Sequence, residues 1–197
     1  MKWNIFLLSC FIYCTSCKEN ETPDVIPTVD NDSVTYFQLK QFINEEVQNV
    51  NQTPYYIYKR LIVDNKPIDS VTISKEDFNT LAAIFAEADI NDPKVKRYYS
   101  ESVFEDASTN SFVLTYKSID PKKAVQTIDV MLDNETQKVK RIDIKKLFDR
   151  NDTSYTEHLV WKGGQSYEII RTGSKNTYQS TQQTQVVWNN KNIRNDE

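Results

Sequence analysis

The sequence predicts an α+β fold, with two helices from the N-terminal half packed on a curved, mostly antiparallel β-meander of about eight or nine strands. Three observations carry this expectation. Apolar residues recur at helical spacing behind capping signals in two early segments. From Lys96 onward the pattern switches to alternation with period two. The joints between the alternating segments are short and built from Asn, Asp, Ser and Gly, which ties successive strands antiparallel.

Taken in order, Ser33 is a good N-cap residue, and Tyr36, Leu39, Ile43, Val47 and Val50 follow at helical spacing, predicting a helix over 34–49 stopped by Asn51-Gln52-Thr53-Pro54. Tyr55 to Val63 is aromatic and β-branched, and Asp64-Asn65-Lys66-Pro67 turns it into a second strand, Ile68 to Ile73. Ser74-Lys75-Glu76-Asp77 resembles a capping box with Asp in place of Glu. Behind it Phe78, Leu81, Ala82, Phe85 and Ala88 form one apolar face, so a second helix is expected over 75–88, ending before Pro93. Strands are then expected at 97–105, 111–118, 124–132, 138–147, 154–162, 165–172 and 180–188. Phe112, Leu114 and Tyr116 share one face and Val113, Thr115 and Lys117 the other, so one side of the sheet should be buried and one solvated. The helices are the expected cover.

Composition narrows the function. The chain has 197 residues, 39% hydrophobic and 26% charged, with eleven Tyr and nine Phe, which suits a folded domain. A net charge of −4 argues against a general nucleic-acid binder, which needs a basic surface to displace counterions. Only Gly163, Gly164 and Gly173 occur as glycines, which nearly excludes a glycine-rich phosphate cradle.

The start of the chain reads as an address. Met1-Lys2, an apolar run from Trp3 to Cys14, and small residues before Cys17 form a secretory signal over 1–16, too short to span a bilayer. Cys14-Thr15-Ser16-Cys17 resembles the lipobox of bacterial lipoproteins, with Cys14 in place of the usual Leu. That resemblance implies that the Cys17 thiol is lipidated and becomes the mature N-terminus, with acyl chains such as palmitate holding the protein to a membrane. The mature domain would then carry no thiol, so disulfides, thiolate zinc sites and Cys nucleophiles are not expected. Residues 17–32 read as the lipidated Cys and an acidic, proline-interrupted tether, whose fifteen residues from Lys18 on reach at most about 50 Å. Residues 33–189 read as one α+β domain, and 190–197 as a disordered tail.

Lys18-Glu19, followed by Glu21, resembles the short charged signal that sends lipoproteins of Bacteroidetes-type bacteria to the cell surface; an ordinary solvated linker has the same composition. Asp32-Ser33-Val34 and Asp69-Ser70-Val71 resemble the O-glycosylation acceptor of those bacteria at Ser33 and Ser70. The whole layout is similar to uncharacterised Bacteroidetes cell-envelope lipoproteins, through the lipobox, the early helix, the segment Ala88-Asp89-Ile90-Asn91-Asp92-Pro93, and a meander holding Tyr155, Leu159, Trp161 and Tyr167-Glu168-Ile169. This likeness implies an envelope location at the outer membrane, with either face left open, and no particular activity. The plan is also similar in shape to the periplasmic lipoprotein-carrier fold, without any motif of that family.

Candidate chemistry is sparse. The one histidine, His158, alternates with Leu159 and Trp161 and should point away from the core with Thr156 and Val160. No Gly-x-Ser-x-Gly motif accompanies it. One His makes a catalytic zinc unexpected, and no metal or cofactor is expected. Asp149 to Ser154 offers oxygens at alternate positions, but Ser154 and Val160 stand where a calcium loop needs Gly and Glu, so this is a polar hairpin. Glu101, Glu105, Asp106, Asp129, Asp143, Glu157 and Glu168 could supply a hydrolytic carboxylate pair only if two faced each other across a cleft. Tyr55, Tyr56, Tyr58, Tyr98, Tyr99, Trp161, Tyr167 and Trp188 lie on strands and belong either to the core or to a binding face. The expected function is a non-catalytic binding or accessory lipoprotein with a protein, glycan or lipid ligand. The alternatives are a hydrolase using paired carboxylates and a structural component of an outer-membrane complex.

Overall fold

The alternating C-terminal half folds into consecutive antiparallel strands, and the two early strands join their far side to complete one open nine-stranded sheet. The computed structural model describes residues 35–150, 153–175 and 178–189. In chain order the elements are α1 (Leu39–Gln52), β1 (Tyr58–Val63), β2 (Lys66–Thr72), α2 (Lys75–Ala86), α3 (Pro93–Lys96), β3 (Tyr99–Asp106), β4 (Ser111–Ser118), β5 (Val125–Asp133), β6 (Val139–Arg150), β7 (Thr153–Lys162), β8 (Ser166–Lys175) and β9 (Tyr178–Val187). The strand order is β2-β1-β9-β8-β7-β6-β5-β4-β3, with every neighbouring pair antiparallel. The run β3 to β9 is the expected meander. The β1–β2 hairpin is added to its last strand. Register shifts at Leu61/Ile62, Val125/Thr127 and Met131/Leu132 mark irregularities of the bulge type, which bend the strands that carry them.

α1 begins at Leu39 and not at 34. Tyr36 and Phe37 are drawn out of the helix by distant partners: the Tyr36 hydroxyl donates to the Tyr99 carbonyl at 2.7 Å, and the Phe37 N–H donates to the Tyr116 hydroxyl at 2.9 Å. The cap residue is Gln38, without a side-chain cap bond, and the start is held by Phe37 packing on Phe42, ring centroids 5.8 Å apart. That is a hydrophobic staple. Ser33, expected as the cap, lies outside the described residues.

α2 starts as expected, with the Ser74 hydroxyl accepting from the Asp77 N–H at 3.0 Å. It ends at Ala86, and Asp92-Pro93 opens the unexpected short α3, whose cap is the Asp92 side chain bonded to the Lys94 N–H. Pro at the first helical position loses no intrahelical bond. The buried face of α2, Phe78, Ala82 and Phe85, lies on β7, β8 and β9. Phe85 meets Trp161 edge-on at 5.1 Å, Phe78 meets Trp188 edge-on at 5.2 Å, and Tyr167 donates to the Phe78 carbonyl at 3.0 Å. Where α2 meets the sheet, rings fill the space.

The same alternation assigns the two sheet faces. Ile142, Ile144, Leu159, Trp161, Tyr167, Ile169 and Val186 point to the helices and are buried. His158, Asp143, Glu168 and Gln185 point to the other face, which no helix of the described residues covers. The β1–β2 turn is Asp64-Asn65, both at positive φ (47° and 63°), the backbone of a two-residue type I′ hairpin. At the β7–β8 turn Gly164 has φ 64°, and a Cβ on Gly163 would run into the Val139 carbonyl oxygen. Glu46 of α1 reaches this turn, accepting from the Gly164 N–H at 2.6 Å and the Trp161 indole N–H at 3.2 Å. Among the described residues no helix is long and apolar enough to cross a membrane.

Candidate functional site

The segment entering β1 alternates in burial before the strand begins. Ile57 is buried, so its neighbours Tyr56 and Tyr58 turn outward, 76% and 53% exposed. Two residues further, Arg60 shares the face of Tyr58. Pairing with β9 brings Val187 beside Tyr58 and Gln185 beside Arg60, while β2 places Ser70 on the other side of Arg60. These residues, with Asn189 beyond the end of β9, bound an open cleft of about 530 Å³. That lies within the size range of small-ligand sites. A second hollow of about 230 Å³ adjoins it, sharing Gln185, Val187 and Asn189 and bounded by Lys162, Ser166 and Glu168. Through these shared residues the two make a groove running across the strands on the face that no described helix covers.

The groove floor is polar and ordered. Glu168 accepts from the amides of Gln183 and Gln185, both at 3.2 Å. Asn189 donates to the Gly164 carbonyl at 3.0 Å, which joins the rim of the groove to the turn held by Glu46. Arg60 and Lys162 form no ion pair among the described residues.

Further along the same face Asp143 stands opposite Asp129. Asp143 accepts from Arg141 Nε at 2.5 Å and Nη2 at 2.8 Å, and lies 3.0 Å from His158 Nε2. Burial alone would raise its pKa, but the bonds and charges of Arg141 and His158 outweigh burial and hold it below the ordinary carboxylate range. The Thr115 hydroxyl donates to Asp129 at 2.7 Å. His158 does point away from the core, as alternation requires, and it is half-buried against Asp143.

The other carboxylates are dispersed. Glu157 shares the face of Leu159 and Trp161, is 4% exposed, and so is not on the wet face. Arg171 Nε donates to its Oε1 at 2.8 Å. Lys146 Nζ stands 3.0 Å from Oε2 without an aligned hydrogen bond, pairing through charge. Glu101, Glu105 and Asp106 lie on edge strand β3, where Asp106 holds the turn to β4 through Ser108 and Thr109. Among the described residues no three His, Cys, Asp or Glu side chains gather as metal ligands.

The strand aromatics divide between two roles. Tyr99, Trp161, Tyr167 and Trp188 are core, and burial raises the Tyr167 phenol so that it stays a neutral donor. Tyr55 and Tyr98 are half-buried, with Lys123 over the Tyr98 ring at 3.8 Å. Tyr56 and Tyr58 line the cleft. Ser70 is exposed on β2 beside them. Cys17, Lys18, Glu19, Glu21 and Ser33 lie outside the described residues. Arg60, Gln185 and Asn189 were not singled out from the sequence. Their local signal was a basic residue in phase with two outward tyrosines, and the glutamine-rich alternation of β9.

No family model, no curated protein and no solved structure matches the chain.

Proposed function

We propose that the chain is an envelope lipoprotein held at the outer membrane by lipid on Cys17, and that its folded domain is a non-catalytic binding module with its ligand in the Tyr56–Tyr58–Arg60 cleft. The observation that carries the binding half is the exposure of two tyrosine rings over a cleft, beside a cation without an ion pair among the described residues. Exposed rings in a concave site gain contact and shed water when a ligand arrives. The anchor half is supported by the short apolar leader ending in small residues and Cys17. A tether of that length would keep the start of the folded domain within about 50 Å of the bilayer.

A hydrolase has one observation in its favour, the opposed Asp129 and Asp143. Such a pair must flank the scissile bond across a cleft. Asp129 and Asp143 instead stand side by side on neighbouring strands, engaged by Thr115 and by Arg141 and His158, and Glu157 is tied up on the opposite face. The cleft is therefore the better supported site.

The anchor is tested by growth with a clickable palmitate analogue. Label is expected on the wild-type chain and absent from Cys17→Ala; label on both or on neither overturns the anchor. For binding, the protein is purified from native membranes and the co-purifying proteins, glycans and lipids are identified together. A component held by the wild type and lost from Tyr56→Ala/Tyr58→Ala supports the reading. Identical recoveries from both proteins overturn it.

A further inference from the structure

Resting on the cleft reading above, we infer that the groove takes an acidic oligosaccharide, its sugar faces on Tyr56 and Tyr58 and a uronate carboxylate on Arg60. The argument begins with what the floor lacks. Tyr58 pairs with Val187, Val187 with Ser166, and Ser166 with Lys162, so the groove crosses β1, β9, β8 and β7. The backbone N–H and C=O groups of these paired strands are spent in their ladders, and a peptide laid over them finds no edge to extend. At the Lys162 end a fatty chain is also a poor fit, because Gln185, Ser166 and Glu168 line the floor there and their polar groups would lose water without replacement.

What the floor offers is side-chain chemistry. Gln185 and Asn189, each with one amide N–H already given to Glu168 and to the Gly164 carbonyl, keep an amide oxygen and a second N–H, Ser70 and Ser166 present hydroxyls, and Glu168 keeps acceptor capacity beyond its two amide donors. Alternating donors and acceptors of this kind match a ring of sugar hydroxyls. The two tyrosines supply flat apolar surfaces for the C–H faces of pyranose rings. From Tyr58 to Lys162 the groove spans three strand spacings, about 14 Å, which holds a few sugar units.

The acid follows from charge. Arg60 has no carboxylate partner among the described residues and faces the cleft with its planar fork, which suits a carboxylate bidentately. Glu168 lies one strand beyond Gln185 and repels an anion. Lys162, the other groove cation, lines the same hollow as Glu168, so its charge is offset there; the carboxylate of the ligand sits at the Arg60 end, with neutral hydroxyls over Glu168.

The test is calorimetric titration of the full mature protein in detergent with a galactose tetramer carrying a single terminal galacturonate and with the neutral galactose tetramer of the same linkage. Wild type is expected to bind the acid at least tenfold more tightly than the neutral sugar. Arg60→Gln should erase that preference, and Tyr58→Ala should weaken both sugars, with circular dichroism verifying that each variant is folded. Equal affinity of the wild type for both sugars, or a preference that survives Arg60→Gln, overturns the inference. If neither sugar binds while capture from envelopes still depends on Tyr56 and Tyr58, the glycan assignment fails and the cleft reading stands. If that capture is also insensitive to the tyrosines, both fail.

Discussion

Removing the carboxylate of Glu46 should loosen the turn that bounds the groove. Glu46 accepts from the Gly164 N–H at 2.6 Å and from the Trp161 indole N–H at 3.2 Å. Trp161 is fully buried, so its indole N–H has no water to turn to once the acceptor is gone. A buried donor left without a partner costs about 1–3 kcal/mol. The Gly164 N–H is nearer solvent and should cost less, so Glu46→Ala is expected to lose about 2–4 kcal/mol. Glu46→Gln keeps an acceptor oxygen and loses only the charge assistance, about 1 kcal/mol. Urea denaturation with unchanged slope measures both. A double-mutant cycle with Trp161→Phe isolates the indole bond, because deleting the donor removes the orphan. The reasoning is refuted if Glu46→Ala costs no more than Glu46→Gln, or if the cycle shows no coupling.

Other outcomes follow from the same structure. Gly163→Ala drives a methyl against the Val139 carbonyl and should destabilise by about 1–3 kcal/mol, whereas Gly173→Ala, with open space around it, should stay within about 0.5 kcal/mol in the same melts. Asp143 has a depressed folded pKa, so its stabilising effect is complete above the ordinary value of 3.8 and fades as pH falls through the lower folded value. Asp143→Asn should therefore be less stable at pH 7 and lose less on acidification below about pH 4, as read by denaturation at each pH. Glu157→Gln leaves the nearly buried Lys146 without its counter-charge and should cost about 3 kcal/mol, checked by urea titration. Intact mass should show whether Ser70 carries a glycan; a mass increment lost in Ser70→Ala would mean the cleft is flanked by covalent sugar.

Local pattern carried most of the fold. The alternation of Phe112, Leu114 and Tyr116, and the cap at Ser74, are near-neighbour effects, and both elements form where that pattern places them. The start of α1 was not legible in that way, because Tyr36 and Phe37 leave the helix for Tyr99 and Tyr116 far along the chain. Asp92-Pro93 held a legible signal for α3, an N-cap followed by proline, which also fits a stop. The candidate site was legible only in halves. The outward phase of Tyr56, Tyr58 and Arg60 can be read from one end of the chain, and that of Gln183 and Gln185 from the other. Their meeting depends on β1 pairing with β9, a contact that periodicity does not encode. Glu157 illustrates the same limit: its phase puts it with Leu159 and Trp161, but only the register with Lys146 and Arg171 explains how a carboxylate is held there.

The claim that the cleft is the working surface is tested most directly by hydroxyl-radical footprinting of the protein in native membranes and after purification. Tyr56 and Tyr58 should oxidise much more slowly in the membrane, while Phe104, exposed on the far edge strand, reacts equally in both. Equal oxidation of the two tyrosines in both preparations would contradict the account.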